Sequence, residues 1–160
     1  MVKSFRVIIL TQPPELVPHS SLVHGFEFVP QKLGGTEPAF LGKLADDGAW
    51  TLDFSAVVEA FSAEGDEMSR PPLLLLGTAF SFVHLLDYLM EQDLWIKLPA
   101  GARVMETGGY KNRSRSMPKA ELHGLITERL GVSAENIVCE YGMSELSSQA
   151  YAVAGDEWQA

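Results

Sequence analysis

Residues 70–78, "RPPLLLLGT", constrain the fold more than any other stretch of this chain. Four consecutive leucines leave no polar position for a solvent-facing side, so an extended segment here needs apolar cover on both faces. Pro71 and Pro72 introduce the run and Gly77 ends it, which marks a short strand with sharp limits.

"FRVIIL", residues 5–10, has the same character: apolar, β-branched and cut off by "TQPP". "HSSLVHGFEFV" predicts a short helix opening at Ser20 or Ser21 and weakened by Gly25. Residues 31–49 mix glycine, proline and charge without a period, and are expected to form a loop with a short strand near Phe40. "WTL" suggests a brief strand. A helix follows, capped by Asp53 or Ser55, with Val57, Val58 and Phe61 on one face and Gly65 as its stop.

In "AFSFVHLLDYLMEQD", Phe82, Leu85, Leu86 and Leu89 recur at helical spacing. "ARVMETGG" reads as a strand ending in glycines. "SMPKAELHGLITERLG" reads as a helix with Ser116 as cap, Pro118 in its first turn, a stripe of Leu122, Leu125, Ile126 and Leu130, and Gly131 as its close. "NIVCEYG" is expected to be the last strand. Strand and helix alternate with short connections, so the chain is read as one α/β domain over residues 1–160, a mostly parallel sheet with helices on both faces.

Charge narrows the partners. Twenty-one acidic against twelve basic residues give a formal net charge of -9, which disfavours nonspecific binding to nucleic acid or to an anionic membrane surface. No run approaches the roughly 20 apolar residues of a membrane span, and the apolar stretch in "MVKSFRVIIL" is too short for a secretory signal. Cys139 is the single cysteine, which excludes an internal disulfide and a multi-cysteine zinc site and points to a reducing cytoplasm.

In sheets of this class, ligands sit outside the carboxyl ends of the strands. Three segments fall there: "GTAF" at 77–80, "ETGGYKNRSR" at 106–115 and "EYGMSELSSQ" at 140–149. Gly77 permits close backbone approach and Thr78 offers a hydroxyl, although Thr78 also suits a helix cap. Gly108 and Gly109 can present backbone donors to an anion, with Lys111, Arg113 and Arg115 beyond them; a solvated loop is the alternative. Neither a GxGxxG fingerprint nor a GxxxxGK[ST] loop occurs. In "YGMSE", Tyr141 can stack on a flat base, Gly142 lets backbone come close, Ser144 can donate to a phosphate and Glu145 can hold Mg²⁺. A strand end followed by a helix capped by Ser144 is the structural alternative.

Together, "LLLLGTAFSFVHLLDYL", "ETGGYKNRSR" and "EYGMSELSSQAY" resemble the acyl-protein synthetase family, which includes the fatty-acid-activating component of bacterial bioluminescence reductases and belongs to the adenylate-forming ligases. The resemblance runs from about residue 5 to 153. It implies that ATP and Mg²⁺ are used to turn a carboxylic acid, a fatty acid, into an acyl adenylate. The acyl group would then pass to a thiol, of a protein or a reductase partner.

On that resemblance Tyr141 stacks on adenine, Gly142 and Met143 complete the nucleotide-binding segment, Ser144 contacts the α-phosphate and Glu145 binds Mg²⁺. Gly108 and Gly109 line the nucleotide and acyl pocket, and Gly77 and Thr78 lie on its acyl side. The upstream phosphate loop, the downstream aspartate segment and the small mobile domain of such ligases are absent from these residues. The chain is therefore expected to be the central part of the large domain of a longer enzyme, inactive alone. An acyl- or aryl-CoA ligase resembling phenylacetate-CoA ligase is the second reading, and a noncatalytic module that binds nucleotide or a partner is the third. Cys139 is expected to be structural rather than an acyl acceptor. His19, His24, His84 and His123 show no ligand spacing.

Overall fold

The computed structural model describes residues 5–62, 70–110, 114–143 and 148–153, with side chains described through residue 140. Strand β1 (Arg6–Ile9) is followed by helix α1 (Ser21–Leu33), strand β2 (Ala39–Phe40), the hairpin β3 (Gly42–Leu44) and β4 (Trp50–Leu52), and helix α2 (Phe54–Ser62). Next come β5 (Leu73–Thr78), α3 (Ala79–Glu91), β6 (Arg103–Thr107), α4 (Lys119–Leu130), a 3-10 turn (Ala134–Asn136), β7 (Ile137–Met143) and β8 (Ser148–Val153).

The main sheet has the order β2-β1-β5-β6-β7-β8. Its first five strands are parallel, and β8 returns antiparallel along β7. The chain is thus α/β with helices on both faces, and the leucine run explains why. Leu73 and Leu75 join Ile8 and Leu10 in the core under α2, α3 and α4, while Leu76 joins Val7, Ile9 and Phe26 of α1 on the opposite face. Successive side chains alternate across a strand, so an uninterrupted apolar run feeds two cores at once. Each of these leucines is almost fully buried, worth about 1.5–3 kcal/mol apiece in transfer free energy. Among the described residues no helix is long and apolar enough to cross a membrane.

Several local expectations change. Gly25 does not shorten α1, because burial of Val23 and Phe26 outweighs the roughly 1 kcal/mol a helical glycine costs. The helix runs on to Leu33 and closes at Gly34 in the left-handed conformation, φ 66°. Residues 31–49 hold β3 as well as the strand at Phe40. The β3–β4 hairpin leans on the end of β1, with Leu41 N–H bonded to Ile9 O at 2.9 Å and Gly42 N–H to Thr11 O at 2.8 Å. Asp53 caps α2 by accepting from Ala56 N–H at 3.1 Å, while its expected stop, Gly65, lies outside the described residues.

Ser116 does not cap α4. Pro118, extended at φ -56° and ψ 145°, occupies the cap position without a side-chain bond, two residues past the serine. Gly131 closes that helix at φ 65°, as expected. Nor is β7 the last strand, because β8 pairs with it from Val138↔Val153 to Met143↔Ser148; Ser144, the alternative helix cap, lies outside the described residues. Without β8 the hydrogen-bonding edge of β7 would lie bare.

Candidate functional site at the carboxyl ends of the parallel strands

Register brings the sequence motifs level. Gly77 pairs with Glu106 and Thr78 with Thr107 across β5 and β6, and Glu106 with Cys139 and Thr107 with Glu140 across β6 and β7. Residues 77–78, 106–107 and 139–140 therefore lie side by side across β5, β6 and β7. Tyr141, Gly142 and Met143 continue β7 and pair with Ala150, Gln149 and Ser148. Ser144 and Glu145 lie outside the described residues, as do Lys111 and Arg113.

The first of these ends is filled by its own packing. The Thr78 hydroxyl accepts from Ser81 N–H at 3.2 Å and lies 2.7 Å from Ser81 Oγ, so it caps α3. A Cβ on Gly77 would sit 3.0 Å from Phe82 Cε2 and 3.1 Å from Leu10 Cβ, so close side-chain packing accounts for the glycine. The turn after β6 is different. Gly108 adopts φ 75°, a conformation that favours glycine, and among the described residues a Cβ built at Gly108 or Gly109 meets nothing within 4 Å. The two glycines form an open ledge.

Beneath the ledge sits a charged cluster. Glu106 is 0% exposed, and its carboxylate accepts from Lys119 Nζ at 2.7 Å and from His123 Nε2 at 3.1 Å. Burial alone would push the Glu106 carboxyl up. Hydrogen bonds from His123 and Lys119, the Lys119 charge and the Cys139 thiol outweigh burial and hold the carboxyl below its ordinary value. An ionised carboxylate only accepts, so His123 carries its proton on Nε2. Lys119 also donates to Gly108 O at 3.2 Å, and its ammonium lies 5.6 Å from the centroid of the Tyr110 ring. The Tyr110 hydroxyl donates to Met117 O at 2.8 Å. On the other face of the sheet, the Thr107 hydroxyl donates to the Glu140 carboxylate.

Cys139 is 5% exposed, and burial, followed by its bond to Glu106, pushes its thiol up to about 12. A thiol so protonated is a poor nucleophile. Arg115 is held by Asp87 of α3, with Nε and Nη2 at 3.0 and 2.9 Å from Oδ1. Among the described residues no group of three or more His, Cys, Asp and Glu side chains could hold a metal ion. Both oxygens of Glu106 are taken by donors of the protein itself.

Glu106, inside "ETGG", and His123, inside α4, carry no assigned role in the sequence motifs. Lys119 and His123 stand four residues apart, so they share one face of α4 and extend its buried stripe toward the strand ends. A Lys-x-x-x-His pair opening a helix, after a strand that carries a carboxylate, is the signal that could have found them.

A second set of strand ends lies where β1 meets β5. The chain leaves β1 first toward β2 and later toward β5, so its direction of winding reverses there. Gln12 is buried and donates from Nε2 to Lys43 O at 2.8 Å, while its Oε1 has no hydrogen-bond partner among the described residues. The surrounding crevice, between Trp50 and Leu52 of the hairpin and Phe80, Ser81 and His84 of α3, is too tight to hold a water molecule.

No protein-family model matches the chain, and no curated protein matches it.

Proposed function

We propose that the chain is an α/β part of an ATP-dependent acyl-activating ligase of the acyl-protein synthetase type, working in the cytoplasm. One observation supports this reading above others: the strand ends carrying "GT", "ETGG" and "EYGM" lie in register on β5, β6 and β7, with an open glycine ledge in their midst. A carboxylate and a triphosphate would meet there, the carboxylate oxygen attacking the α-phosphorus with loss of pyrophosphate. Both reactants are anions. The chief task of the protein is to align them and to offset their charge.

In this reading Tyr141 stacks on the base, with Gly142 and Met143 beside it, and Ser144 donates to the α-phosphate. Mg²⁺ held through Glu145 would supply charge neutralisation. Gly108 and Gly109 border the nucleotide, and Gly77 and Thr78 back the acyl side through their packing on α3 and β1. Cys139 is buried and protonated, so the accepting thiol would belong to another group, a protein cysteine or CoA.

Calorimetry with a nonhydrolysable acyl-adenylate analogue and Mg²⁺ tests the reading. Binding should weaken at least tenfold in Tyr141→Ala and in Glu145→Ala, the latter only with Mg²⁺ present. Equal affinity in all three proteins would remove the nucleotide site from this strand end.

A further inference from the structure

We propose that Lys119 is a positioning residue which, through the Gly108 carbonyl, sets the direction of the Gly109 N–H as a donor to an anionic ligand oxygen. The anion's identity, a carboxylate or phosphate oxygen of an acyl adenylate, rests on the function proposed above; the direction of the N–H does not. Lys119 Nζ draws the Gly108 carbonyl toward α4 at 3.2 Å. The peptide that follows is trans, as all described peptides are, and in a planar trans peptide the C=O and the next N–H point opposite ways. The Gly109 N–H is therefore turned away from Lys119, on a ledge where a Cβ at Gly108 or Gly109 would meet no described residue within 4 Å.

Such a device answers a weakness of the sequence. A Gly–Gly peptide has no side chain to resist rotation, so its plane can flip and reverse the donor at little cost. A hydrogen bond from a charged donor that is 37% exposed biases that flip by roughly tenfold. Glu106 makes the bias dependable: it is fully buried, fixed from the other side by His123, and holds the ammonium at 2.7 Å. An ammonium has three donors, and here Glu106 and the Gly108 carbonyl take two of them. With its charge met by Glu106, Lys119 acts on the ligand through the backbone.

The test compares wild type with Lys119→Arg, Lys119→Met and the double variant Glu106→Gln/Lys119→Met. The double variant leaves no lone buried charge if the single Met variant fails to fold. N–H residual dipolar couplings report the orientation of the Gly109 amide, and calorimetry reports the Kd of the acyl-adenylate analogue. In the Met variants the Gly109 coupling should collapse while those of β5 and β6 hold, and Kd should rise about tenfold. Arginine should restore both. A Gly109 coupling unchanged across the set overturns the inference, as does a Kd that follows loss of lysine while the coupling stays fixed. If wild type binds no analogue but the Gly109 coupling responds as described, the adenylate reading falls and the positioning role stands.

Discussion

The carboxyl ends of β1 and β5 and those of β6 and β7 open on the same end of one sheet, but they are finished in opposite ways. At the first, the β3–β4 hairpin folds over Thr11 and Gln12, and Trp50, Leu52 and Phe80 fill the space beneath it. At the second, two glycines stand open above a fixed set of charges. A reversal of winding is where open α/β sheets usually offer a crevice for a ligand. Here the hairpin occupies that crevice, and the open ledge lies one strand further along. Topology alone would choose the end that the hairpin fills, whereas local packing leaves the neighbouring end open.

The largest effect is expected at the plugged end. A Cβ at Gly42 would overlap the carbonyl group of Thr11, a backbone contact that cannot yield, so Gly42→Ala should cost about 3 kcal/mol or more by urea unfolding. A loss under about 1 kcal/mol would mean that the hairpin moves freely over β1 and that the two ends are less different than described. Glu106→Ala comes next. It leaves His123 without its acceptor in a buried site while Lys119 can still reach water, for a loss of about 2–3 kcal/mol.

The acid limb of stability offers a finer test of the charged end. Glu106 titrates below the unfolded value of 4.5, so its contribution is complete above that pH and is lost as pH falls through the lowered folded value. The wild-type unfolding midpoint should therefore drop below pH 4.5 more steeply than that of Glu106→Gln, and parallel curves would count against an ionised, paired Glu106. Gly108→Ala should cost only about 1 kcal/mol, from its left-handed backbone and not from a clash. The smallest change is expected for Arg115→Ala: its pair with Asp87 is exposed, so denaturation should register under about 1 kcal/mol.

Features set by near neighbours could be read from the sequence. The leucine run, the Asp53 cap, the stripe of α4 and its Gly131 stop each depend on residues within a turn or two. The hairpin was hidden in residues 31–49 because Gly42 is chosen by Thr11, some thirty positions earlier, and no period in its own stretch records that contact. Pairing with β7, not a strong pattern of its own, makes β8 a strand. The candidate site divides in the same way. Its glycines were visible as motifs, whereas the meeting of Glu106, Lys119, His123 and Cys139 needed β6, α4 and β7 to be brought together.

Strand order also sets the order in which this fold can be assembled. β1 lies inside the sheet between β2 and β5, yet its long partner β5 follows only after α1, the hairpin and α2. During synthesis Val7, Ile8 and Ile9 thus wait with an unsatisfied edge while most of the first half of the domain is made, a non-local pairing of the kind that folds slowly and is prone to aggregate. β7 and β8, by contrast, can zip together almost as soon as they are made. Within the main sheet, only the β7–β8 pair can therefore form from local contacts; β6, which carries the glycine ledge, must wait for parallel partners across α3 and α4, and β1 waits longest for β5.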